Sequence, residues 1–171
     1  WAPLKQGVLC IDGRVFCPWL ASHHIQAFYD ALPYLESLLR VIPGFYSMWL
    51  RMWGSHVGYG VEWPVRIDVL DRGLMDVGNR VVFSREVELS AHARRKLGEG
   101  KSSVLVRTVR IGSYAFIGAR ARVGAGASVP SNASVPEMAI VRVNEVFGDA
   151  VRHHDPAEAE FAQQQTPPSA S

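Results

Sequence analysis

Cysteine is nearly absent: Cys10 and Cys17 are the only two in 171 residues. Two cysteines make no disulfide framework, and a seven-residue offset is not a zinc-ligand spacing, so both read as reduced thiols. Charge imbalance is also lacking. A formal net charge of +2 is too small to draw the chain to nucleic acid. Long hydrophobic runs are missing as well: the longest charge-free apolar stretch, Val41 to Leu50, is broken by Pro43 and Gly44 and falls well short of the ~20 residues a spanning helix needs. The first residues do not read as a signal peptide, and the chain opens on Trp1 rather than methionine. With the reduced thiols, this predicts a cytoplasmic protein. What is present is one domain's length with 48% hydrophobic residues, enough to bury a core.

The chain also has a beat. Ile111, Ile117, Val123, Val129, Val135 and Val141 fall six residues apart. Gly112, Gly118 and Gly124 follow the first three, and Pro130 and Pro136 the next two. Small residues (Ala115, Ala121, Ala127, Ala133, Ala139) stand four places after each of the first five. Six is too short for a helical hairpin repeat and wrong for heptads. It suits one face of a triangular β-coil, with the aliphatic residue inward, the small one near a corner and the glycine or proline shaping the turn. The beat is heard earlier, less purely, at Val57, Trp63, Val69, Val77, Phe83 and Leu89, with a two-residue slip before Val77. It restarts at Leu105. Residues 94–104 interrupt it with charge and glycine and are expected to form a loop, where a repeat protein keeps function.

Upstream, Ser22 is a plausible N-cap, and Ile25, Phe28, Tyr29, Leu32, Leu35, Leu38, Leu39 and Ile42 recur at helical spacing. Pro33 divides that stretch, Pro43-Gly44 ends it, and Phe45 to Trp53 reads as a further short helix. Two uses compete for this segment: a cap over the end of the coil, or a docking element for a membrane surface through residues 25–53. The domain expectation is an N-terminal arm and helical cap over 1–53, a repeat domain over 54–147 and a disordered tail over 148–171.

The stretch Ile111-Gly-Ser-Tyr-Ala-Phe-Ile-Gly-Ala-Arg-Ala-Arg-Val-Gly-Ala-Gly-Ala-Ser128 resembles the hexapeptide-repeat acyltransferases, most nearly their maltose, galactoside and polysaccharide O-acetyltransferase branch. The resemblance covers about residues 54–147. It implies an all-β core folded as a left-handed parallel β-helix of about four coils, an exception to the usual right-handed crossover. It also implies a homotrimer with active sites between subunits, acetyl-CoA as co-substrate without a metal, and a sugar or polysaccharide precursor as acceptor. Phe116, Ala119 and Ala125 match positions that line the thioester arm in that family. A departure stands at Pro130-Ser131, where the family often has threonine-lysine.

Acyl transfer needs a base to take the acceptor's proton, and histidine is the usual one. His23, His24, His153 and His154 lie at a helix start or beside the tail, and His56 precedes the coil. His92 ends Leu89-Ser90-Ala91-His92 where the beat gives way to the charged segment, and is similar in placement to the family's catalytic histidine. Asp76 and Glu88 both stand as carboxylates that would orient it. Arg94, Arg95, Lys96, Lys101, Arg107 and Arg110 are candidates for the phosphates of coenzyme A. Two other readings are a trimeric interaction module without activity and a γ-class carbonic anhydrase, for which the histidines are too few.

Overall fold

The structure, a computed structural model, describes residues 6–11, 24–25, 33–98 and 101–148. The tail expected over 148–171 lies outside the described residues apart from Gly148, as do Ser22, His23, His153, His154 and most of the first expected helix. In chain order the elements are β1 (Gly7–Ile11), α1 (Pro33–Val41), α2 (Phe45–Met52), β2 (His56–Val57), β3 (Ile67–Val69), β4 (Met75–Val77), β5 (Val82–Phe83) and β6 (Val87–Leu89). They continue with β7 (His92–Gly98), β8 (Lys101–Val106), β9 (Val109–Ile111), β10 (Phe116–Ile117), β11 (Arg122–Val123), β12 (Ser128–Val129), β13 (Ser134–Val135) and β14 (Ile140–Val141).

Three parallel sheets carry the repeat: β2-β4-β9-β12, β5-β10-β13 and β3-β6-β11-β14. From β4 on, apart from the β7–β8 insertion, the chain visits them in that order and returns to the first, so each visit adds a rung. The registers align the hexad residues: Val57, Val77, Ile111 and Val129 on the first face, Phe83, Ile117 and Val135 on the second, Val69, Leu89, Val123 and Val141 on the third. All of these are buried, as the apolar side of a strand with period-two alternation should be. The rung length varies. It is twenty residues from Val57 to Val77 and from Val69 to Leu89, and eighteen from Ile111 to Val129.

The corners divide two jobs that the sequence pattern merges. Positive φ falls on Tyr114, Arg120, Asn132, Met138 and Asn144, six apart, with Gly126 completing the series. The glycine right after the hexad residue serves a different need. A Cβ on Gly112 would lie 2.3 Å from the Ser131 amide nitrogen, and one on Gly118 2.6 Å from that of Glu137. Glycine stands there because the next rung's backbone passes over it.

The segment 94–104 is not a loop where it is described. Residues 94–98 and 101–104 fall in the antiparallel pair of β7 and β8, and β1 pairs on the free edge of β8, Gly7 opposite Val106. Strand alternation explains the burial: Val104 and Val106 enter the main core, while Leu105 faces the other way and packs with Ala93, Ala125 and Val143. Leu105 therefore belongs to the hairpin, and the coil resumes at β9.

The two helices lie beside the first rung, where Arg51 of α2 donates to the Val57 carbonyl of β2. Pro33 opens α1, where its missing N–H costs nothing. Gly44 precedes α2 in the left-handed region, φ 84°. Tyr46 and Leu50 of α2 join the core; the Tyr46 ring meets Trp63 edge to face at 5.1 Å, and Trp63 stacks on Phe83 at 4.6 Å.

Candidate active site

His92 begins β7, at the corner after β6. Its Nδ1 lies 2.7 Å from Oδ2 of Asp71, a carboxylate only 1% exposed. The same oxygen accepts the Ala91 N–H at 3.0 Å. Neither Asp76 nor Glu88 is the orienting acid. Asp76 lies on the first face, in register between His56 and Arg110, and Glu88 pairs with Arg122 at 3.1 Å. Asp71 takes the place because that rung is twenty residues long, which sets it beneath Ala91.

The turn bearing Asp71 is held from several sides. The Leu74 N–H donates to its carbonyl. The buried guanidinium of the next residue, Arg72, donates to Glu36 of α1, and the Ser55 hydroxyl donates to the Arg72 carbonyl at 2.6 Å. Arg40 binds the second oxygen of Glu36 and the Tyr46 hydroxyl, both at 3.0 Å. Burial pushes the Tyr46 phenol up to about 12, against the pull of Arg40. Buried charge is costly unless paired, and here the two guanidiniums share one carboxylate, one oxygen each.

With Nδ1 toward Asp71, Nε2 is the ring nitrogen of His92 that could act on a reactant. A cleft of about 300 Å³ opens beside it, lined among others by Ser90, Arg94, Arg122, Ile140 and Arg142. Three arginines face one carboxylate, Glu88, so the cleft suits an anionic ligand. Arg122 and Arg142 escaped the sequence reading because they lie in repeat positions that carry no motif.

The other expected residues are spread out. Ala125 lines the His92 cleft, with its carbonyl accepting the Asn144 N–H at 2.9 Å. Ala119 sits at the corner between the second and third faces, its carbonyl accepting the Met138 N–H. Phe116 is exposed on the outside of the second face, between Val82 and Ser134. Within one chain these two are not brought to His92. Arg94 is at the cleft, whereas Arg107 and Arg110 line a smaller one near Gln6. The side chains of Lys96 and Lys101 lie outside the described residues. Among the described residues no group of three His, Cys, Asp or Glu side chains is placed to hold a metal.

No protein-family profile matches the chain, and no curated protein matches it in sequence. Similar solved structures are acetyltransferases. A maltose O-acetyltransferase from Clostridium difficile 630 is 15% identical over 68% of this chain and 77% of that one, with a TM-score of 0.46. A hexapeptide-repeat acetyltransferase from Vibrio cholerae is 15% identical over 66% of this chain and 86% of that one, TM-score 0.33. Serine acetyltransferase isoform 3 from Entamoeba histolytica is 16% identical over 66% and 40%, TM-score 0.28.

Proposed function

We propose that this protein is a cytoplasmic acyltransferase that moves an acetyl group from acetyl-CoA to a hydroxyl or amine of a sugar or polysaccharide precursor. The observation that carries the reading is the His92–Asp71 pair at the wall of an arginine-lined cleft. Asp71 fixes the tautomer with the proton on Nδ1, which leaves Nε2 as the base. Nε2 takes the acceptor's proton as its oxygen or nitrogen attacks the thioester carbonyl. The tetrahedral intermediate then collapses, breaking the carbon–sulfur bond, and the imidazolium returns the proton to the departing thiolate. Asp71 stabilises the transient positive charge on the ring. Arg94, Arg122 and Arg142 are suited to the phosphates of the coenzyme.

The same reading carries a left-handed coil of about four turns and a homotrimer. Phe116 and Ala119, remote from His92 in one chain, then serve a cleft shared with a neighbouring copy, together with Ala125. The test is release of free thiol from acetyl-CoA against a panel of sugars and nucleotide-sugars. His92→Ala should lower the rate by roughly 10²–10⁴-fold while the melting temperature and acetyl-CoA binding hold. Asp71→Asn should lower it by about 10²-fold or more through loss of the tautomer. Full activity in His92→Ala sinks the assignment.

A further inference from the structure

Capping the coil explains only one side of the helical layer. Tyr46, Ser47 and Leu50 are buried against it. On the opposite side Tyr34, Leu38 and Val41 of α1 and Phe45, Met48 and Met52 of α2 stand in the open, from 43% exposed at Phe45 to 89% at Tyr34. Their spacings of four and three, then three and four, place each set on one face of its helix. Ile42, in the link between the helices, is exposed too. Exposed apolar residues are usually scattered singly, and a run of seven on one layer marks a surface that meets something.

Charge indicates what it meets. From Pro33 to Val61 the sequence holds one carboxylate, Glu36, and it is buried in its pairs with Arg40 and Arg72. Among the described residues, the two helices therefore set no carboxylate of their own on that face. Arg51 stands at its rim, beside Met52, held by the carbonyls of Val57 and Gly58 at 2.8 and 2.9 Å. Its guanidinium faces the exposed ring of Tyr59, 5.6 Å away. An apolar face with a cation and a phenol at its edge fits the boundary between lipid headgroups and acyl chains. No helix among the described residues is long and apolar enough to cross a membrane.

We propose that the outer face of α1 and α2 docks this protein on an anionic phospholipid surface. The seven apolar side chains enter the headgroup boundary and Arg51 meets phosphate. The interaction is independent of the acyl-transfer reading.

The test is sedimentation with vesicles of phosphatidylcholine containing phosphatidylserine. The wild-type chain should pellet with them. Met48→Glu/Met52→Glu should weaken the association by about tenfold or more, since each change removes apolar area and adds charge facing phosphate. Met138→Glu/Val146→Glu, at exposed apolar sites on the last rung, should pellet like wild type. Leu38→Glu on α1 carries the comparison if the paired α2 variant melts early. His92→Ala should also pellet, which separates failure of docking from failure of the catalytic reading. Wild-type protein left in the supernatant overturns the proposal, as does equal pelleting of the α1 or α2 variants. So does a change of mass in the α2 variant without vesicles, which would make the face a contact between copies.

Discussion

At the scale of single residues, two buried side chains, Asp71 and Tyr46, are held by different partners. Asp71 sits with its carboxylate between an amide N–H and an imidazole nitrogen. Tyr46 is kept neutral, because desolvation outweighs the Arg40 guanidinium and holds its phenol near 12 instead of 10.0. A raised folded pKa gives a stabilising contribution that is whole below the unfolded value and is lost as pH rises through the folded one, because the unfolded chain sheds its proton first. Thermal melting should therefore decline between about pH 10 and 12, and Tyr46→Phe should remove part of that decline. Melts of both proteins across that range check it, and parallel alkaline declines would show the phenol to be inert. His92 was legible in the sequence because it ends a hexad rung where the pattern breaks. Asp71 was not. The two-residue slip before Val77 was visible, but nothing in the hexad pattern marks Asp71 as standing beneath Ala91, and the partnership emerges only once Val69 is set opposite Leu89.

At the scale of elements, the corner residues show why the repeat was readable while one of its roles was misread. The sequence marks a glycine after the inward residue, and a turn requirement is the natural inference. The positive φ falls two positions later, on residues as large as Tyr114 and Met138, while Gly118 is needed for the 2.6 Å approach its Cβ would make to Glu137. Gly118→Ala should then destabilise the protein by about 1–3 kcal/mol, as overpacking against rigid backbone does. Met138→Gly should be neutral or stabilising by up to about 1 kcal/mol, since a left-handed non-glycine residue is strained. Urea unfolding of the two variants should give that order, and the reverse order would reassign the corner. The hairpin escaped notice for a separate reason. Its strands carry glycine and charge, and the partner that completes the sheet, β1, is nearly a hundred residues away, with Gly7 opposite Val106. No local window contains that pairing.

At the scale of the molecule, a stack of rungs must stop without offering its last edge to another chain. Along the coil the residue after each hexad position donates its N–H to the following rung: Gly78 to Ile111, Gly112 to Val129, Gly118 to Val135, Gly124 to Val141. On the next rung the same three positions are Pro130, Pro136 and Arg142, and this rung is covered in part, since Val146 bridges to Ser128 and the Phe147 N–H donates to the Ser128 carbonyl. The prolines have no N–H to leave unpaired, and the Arg142 N–H is taken by the Glu145 carboxylate at 2.6 Å. The change from glycine to proline thus marks where the regular N–H donation from rung to rung stops among the described residues, and it was present in the sequence as the shift from Gly124 to Pro130. Replacing all three devices, Pro130→Ala/Pro136→Ala/Glu145→Ala, restores two donors and frees a third on this rung. The variant should melt close to wild type, because no core side chain is lost. Its mass in light scattering should climb with concentration as ends pair, while the wild-type mass stays constant. A variant whose mass is as constant as wild type would mean that the end is protected by some other part of the chain.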